Sequence, residues 1–101
     1  METTIYQFTH NRRKQPTGAL YAMRMGDLVA ISWSKAKTHA QGQSMDKFDR
    51  NRAIDICKNR AMMALEDNMP LKHVLTVPQS MKEDMAYFIQ RCKRYFKGIN
   101  I

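Results

Sequence analysis

The chain has 101 residues, of which 17 are Lys or Arg and 9 are Asp or Glu, for a net charge of +8 and an apolar fraction of 44%. One modest core is within reach and a second domain is not, so residues 1–101 are expected to form a single domain. Disorder is not the default for this composition, and no apolar run approaches membrane-spanning length.

Thr3–Thr9 (TTIYQFT) is β-branched and aromatic and reads as a strand partly covered on both faces. His10–Gly18 is a polar loop punctuated by Pro16 and Gly18. Two apolar runs, Ala19–Met25 and Leu28–Ser34, flank Gly26-Asp27, and a glycine in the first central position suits a two-residue II′ hairpin turn. The front of the chain is therefore expected to be a three-stranded antiparallel meander.

Lys35–Ser44 shows neither period and reads as a loop, with Ser44 placed to cap a helix and Asp46 in its first turn. That helix is expected from Met45 to Glu66, ended by Asp67-Asn68-Met69-Pro70. Leu71–Val77 is a candidate fourth strand, closed by Pro78. Ser80 and Glu83 fit a capping box, and a second helix runs to Phe96 with Gly98 as its left-handed stop. Met81, Met85, Phe88, Ile89, Cys92, Tyr95 and Phe96 form its apolar stripe, while Arg91, Lys93, Arg94 and Lys97 oppose the negative end of its dipole. The expected fold is α+β: a small antiparallel β-sheet of three to four strands with two α-helices packed on one face.

The positive charge is concentrated at the two ends of the chain. Residues 1–44 hold six cations against two acids, residues 68–101 hold six against two, and the middle is balanced. An anionic partner is the natural expectation, nucleic acid or nucleotide first, with no membrane. The densest cluster is Arg12, Arg13 and Lys14, followed by Lys35 and Lys37, which makes these five candidate phosphate contacts. A solvated loop is the ordinary alternative. Trp33 joins the nucleic-acid candidates if it stands with Tyr6 or Tyr21 on an uncovered face, where it would stack bases; otherwise it is core.

On a helical wheel, Ala53, Ile54, Ile56, Cys57, Ala61, Met63, Ala64 and Leu65 fill roughly one half of residues 45–66, and Arg60 falls among them. A guanidinium there can snorkel outward, pair with a carboxylate or backbone carbonyls, or line a pocket for an anion. The small residues Ala53, Ala61 and Ala64 would leave room for a ligand. Asp46, Asp49 and Asp55, with Arg50, Arg52 and Lys58 nearby, read as surface ion pairs. Arg50, Arg52, Lys58 and Arg60 together make the helix a second candidate contact surface.

Cys57 and Cys92 belong to no C-x-x-C pair and His10, His39 and His73 are scattered, so no metal and no cofactor is expected. No catalytic constellation stands out, and the protein is expected not to be an enzyme. Reduced thiols and the lack of an apolar leader lead to the expectation of a soluble cytoplasmic protein. Nine methionines, Met62 and Met63 among them, offer an adaptable surface for a protein partner.

The strand Leu28-Val-Ala-Ile-Ser32, a loop, Asp46-x-Phe48, and Arg60-Ala61 twelve residues after the phenylalanine together resemble a pattern of small accessory proteins of tailed bacteriophages. Residues 28–61 carry the resemblance. Gln43 stands where an Asn is usual, a mid-helix Gly-Arg is missing, and a second helix follows. A similar strand-loop-helix arrangement occurs in phage Thoeris anti-defence sponges, which hold a cyclic ADP-ribose-type signal. That resemblance implies ligand contacts at Phe48, Arg52 and Arg60, to which the charge pattern adds Arg50. The leading expectation is a basic phage-type protein, located in the host cytoplasm, that binds nucleic acid or a phosphate-rich ligand. The alternatives are an anti-defence sponge for a nucleotide signal and an inhibitor that binds a host protein. Self-association is left open.

Overall fold

The computed structural model describes residues 3–36, 48–99 and 101. Strands β1 (Thr3–His10), β2 (Pro16–Met25) and β3 (Leu28–Lys35) form an antiparallel meander in the order β1-β2-β3. Helices α1 (Arg50–Glu66) and α2 (Lys82–Tyr95) follow, the second entered through a 3₁₀ turn at Gln79–Met81. Met25 pairs with Leu28 across the two-residue turn, where Gly26 takes the positive φ of 58° that a turn of this kind needs. The α+β class and the three-stranded meander expected from the sequence are both present.

The helices do not share a face. Successive strand residues point to opposite sides of a sheet. Ala19, Tyr21, Met23 and Ala30 pack with Ala53, Cys57, Ala61 and Ala64 of α1. Leu20, Ala22, Ile5, Val29 and Ile31 pack with Met85, Phe88 and Cys92 of α2. The sheet is thus the middle of three layers. Its central strand is apolar on both sides from Ala19 to Met23 and needs cover on both, which one layer of helices cannot supply.

The connection between the helices makes this arrangement. Residues 67–78 leave the end of α1 and run along the outer edge of β3, where the Ile31 N–H donates to the Pro70 carbonyl at 3.2 Å. The expected fourth strand at Leu71–Val77 is absent. The segment instead folds into successive tight turns, with N–H donation from Lys72 to Met69, Val74 to Leu71 and Thr76 to His73.

Helix α1 begins later than expected, at Arg50, because Asp49 caps it by accepting the Arg52 N–H at 3.0 Å. Ser44, the expected cap, lies outside the described residues. Ser80 and Glu83 do not form a capping box: Ser80 Oγ accepts from Lys35 Nζ at 3.0 Å, and the residue capping α2 is Met81, with no side-chain bond. The alanines of α1 leave no ligand space. They are buried against the sheet and let the helix lie close enough for Ser32 Oγ to donate to the Cys57 carbonyl at 2.7 Å and Ser34 Oγ to the Ala53 carbonyl at 3.1 Å.

Candidate functional site

Both helices start at the same end of the sheet. Ser34 meets Ala53 there, Lys35 meets Ser80, and Pro16 lies beside Phe48–Asn51. The β1–β2 hairpin turns at this end too, so segments far apart in sequence converge on it. The molecule is elongated, 44 × 23 × 22 Å.

The hairpin loop is the best-defined part of this end. Asn11 N–H donates to the Gln15 carbonyl at 3.0 Å, and Lys14 N–H donates to the Asn11 carbonyl at 2.9 Å. The Asn11 side-chain oxygen accepts from the backbone N–H of Arg13 at 2.9 Å and of Gln15 at 3.0 Å. An Asn that bonds the backbone two residues on is a turn-former by that mechanism. Arg12 and Arg13 therefore occupy the centre of a stapled turn, and Lys14 follows with φ at +61°. All three side chains are exposed.

Behind the loop, Phe8 and Phe48 meet edge to face at 5.9 Å between ring centroids, and the Arg50 guanidinium lies 5.4 Å over the Phe8 ring. Pro16, Phe48, Asp49, Arg50 and Asn51 line an open depression of about 570 Å³. Arg50 of this lining is exposed, as are Lys35 and Arg52 at the same end of the sheet, while Lys37 lies outside the described residues. Among the described residues the only ion pair is Lys72 with Asp67 at 3.5 Å. The expected pairs of Asp49 and Asp55 with Arg50, Arg52 and Lys58 are thus not formed, Asp49 instead accepting the Arg52 N–H as the helix cap, and Asp46 lies outside the described residues.

Arg60 is not part of this end's depression. Its Nη1 donates to the Trp33 carbonyl at 2.6 Å on the outer edge of β3, and its guanidinium stacks 4.7 Å from the centroid of the Trp33 ring. Of the three options open from the sequence, pairing with a backbone carbonyl is the one adopted. Trp33 is half-buried on the α2 side, where Nε1 donates to the His73 carbonyl at 3.0 Å. Tyr21 is buried and, with Tyr6, faces the α1 side, so no stacking platform of Trp33 with Tyr6 or Tyr21 exists.

Burial holds the His73 imidazole below its usual value, helped by the nearby charges of Arg60 and Lys72, although a bond to the Arg60 backbone pulls the other way. Both cysteines are free and buried. Burial raises the Cys57 thiol against the opposing bonds from Ser34 and Ser32 and the charge of Arg60, and pushes Cys92 up to about 12 against the charge of Arg91. Neither is a poised nucleophile.

Sequence reasoning passed over two features. The Asn11 staple was readable from the spacing of Asn11 and Gln15. The bonds from Arg91 Nη1 to the Tyr6 carbonyl at 3.4 Å and to Gln7 Oε1 at 3.1 Å were not, because they join residues 84–85 apart in the chain. Met62 and Met63 are exposed near the end of α1, as are Met69, Leu71 and Leu75 in the segment that follows. No described helix is long and apolar enough to cross a membrane. No family model matches the chain, and neither a curated protein nor a solved structure does.

Proposed function

We propose that this protein binds nucleic acid, without catalysis, through the end of the sheet that carries the β1–β2 hairpin. One observation carries the reading: Arg12, Arg13, Lys14, Lys35, Arg50 and Arg52 come from three separate segments to one end of the molecule, and no described carboxylate pairs with any of them. Unpaired cations on one pole attract a polyanion and release its counterions on binding.

The test is a titration of a labelled oligonucleotide, followed by fluorescence anisotropy, over a range of salt. With four or five phosphate contacts, affinity should fall about 10²–10³-fold between 50 and 200 mM salt. Arg50→Glu with Arg52→Glu should weaken binding further while leaving the melting temperature near that of the parent. A flat salt response overturns the proposal.

A second reading, capture of a small nucleotide as in the phage sponges that residues 28–61 resemble, has the depression in its favour. Its volume of about 570 Å³ falls within the range of small-molecule pockets, with Phe48 to stack and Arg50 to pair. Native mass spectrometry after nuclease and high-salt treatment decides between them: a retained nucleotide mass, lost in Arg50→Ala, supports capture.

A further inference from the structure

Helix α1 ends in an apolar surface that the fold does not bury. Asn68, at φ +55°, donates its N–H to the Leu65 carbonyl at 3.1 Å, and the Met69 N–H donates to the Ala64 carbonyl at 2.9 Å. This pair of bonds stops the helix and turns the chain back, returning Met69 to the turn that holds Met63 and Ala64. The tight turns closed by the Lys72 and Val74 N–H groups then hold residues 69–75 beside the outer edge of β3. Met69, Pro70, Leu71, Val74 and Leu75 line an open groove of about 370 Å³ there, with Lys72 as its single charged residue. Met62, Met63, Met69, Leu71 and Leu75 are all exposed, Leu75 by 84%. A contiguous exposed apolar patch rimmed by polar residues marks an interaction surface.

We propose that the occupant is a second copy of this chain, in a two-fold dimer with this patch at its seam. The inference is independent of the nucleic-acid reading. Charge selects the occupant. Two copies at +8 repel wherever cations line both surfaces. Residues 61–79 carry only Glu66, Asp67 and Lys72, a net charge of −1, and Lys72 pairs with Asp67 at 3.5 Å. Arg60 is turned onto Trp33, and the exposed Lys58, one turn before Met62, bounds the patch along α1. An acidic protein or an anionic membrane is drawn to the cations elsewhere rather than to this stretch. Residues 37–47, which lie outside the described residues, are too polar to cover it, with Ala40 and Met45 their only apolar side chains. The patch is also self-complementary. A two-fold interface sets one surface against itself, so a projection and a recess must lie side by side. Leu75 is the projection, the groove at its side is the recess, and methionines adapt their shape to the fit. Arg50 and Glu66 stand about 24 Å apart along α1, so the seam leaves the basic end of each copy open.

The experiment is sedimentation velocity on the full chain, freed of nucleic acid by nuclease and a high-salt wash, from about 1 to about 200 μM. The sedimentation coefficient should rise with concentration from that of one chain to that of two. Added salt should tighten the dimer severalfold by screening the repulsion between copies, whereas it weakens nucleic-acid binding. Leu75→Glu should weaken the dimer by about tenfold or more, because the seam would bury the new carboxylate. Leu75 is exposed in the single chain, so this variant should melt as the parent does at a concentration where both are monomers. The added acid also lowers the repulsion between copies, so lost association reports the seam and not the net charge. Met63→Glu, on the helix side of the patch, should act in the same way. A chain that stays monomeric at every concentration and salt overturns the dimer and leaves the nucleic-acid reading standing. A dimer that persists unchanged in both variants overturns this seam, as do dimers that form only when nucleic acid is added.

Discussion

Replacing Arg60 by alanine tests whether this arginine belongs to the fold or to a ligand. In the structure its guanidinium donates to the Trp33 carbonyl at 2.6 Å and covers the Trp33 ring at 4.7 Å. A hydrogen bond from a charged donor is worth about 1.5–3 kcal/mol, and a cation over an indole about 0.5–2 kcal/mol. Arg60 is half-buried, so both contributions fall toward the lower part of their ranges, and water can replace the lost donor at a strand edge. The expected loss is about 2 kcal/mol, or about 8–15 °C in melting temperature for a domain of this size. Urea unfolding followed by the fluorescence of Trp33, the only tryptophan, measures the loss and the exposure of the ring together. The midpoint should fall with the slope unchanged, and Arg60→Lys, which keeps the charge without the planar fork, should lose about half as much. A loss below about 0.5 kcal/mol, the level of an ordinary surface substitution, would refute the structural role. If a bound nucleotide were lost in the same variant, Arg60 would return to the ligand site that the phage resemblance implies.

Gly18→Ala should destabilise the sheet by about 1–3 kcal/mol, because the added Cβ would meet the Ser34 carbonyl oxygen at 2.6 Å and Thr9 Oγ1 at 2.9 Å. A thermal melt matching the parent's would refute the β1-β2-β3 register. His73 should make stability fall with acid: its native value lies below the usual 6.5, so the unfolded chain takes up the proton first as pH drops. The stability it confers is complete above about pH 6.5 and is lost as pH falls from there to the lower native value. His73→Asn should remove that part of the pH dependence, and parallel stability curves for the two proteins between about pH 7.5 and 5 would refute it.

Much of the fold was legible in the residues themselves. Gly26-Asp27 between two apolar runs determines a tight hairpin, since few residues take positive φ without cost. The stripe from Met81 to Phe96 determines a helix with one buried side, because residues spaced at 3.6 per turn share a face. The unbroken apolar run Ala19–Met23 also carried a message that a one-sided packing scheme overlooks: a strand with no polar face must be covered twice.

What the residues could not determine depends on where the chain goes between its elements. Residues 67–78 pass along the outer edge of β3, and that path sends α2 to the face opposite α1 and supplies the His73 carbonyl for Trp33. The wheel put Arg60 on the apolar side of its helix, but its partner, a strand-edge carbonyl, exists only once α1 lies across β3. The basic pole has the same origin. Arg12, Arg13 and Lys14 stand well apart in sequence from Lys35 and from Arg50 and Arg52, and antiparallel strand pairing with a helix started at the same end draws them together. Local pattern is set by side-chain period and backbone sterics, which act over a few residues; the site is set by contacts between distant segments, which only the folded chain makes.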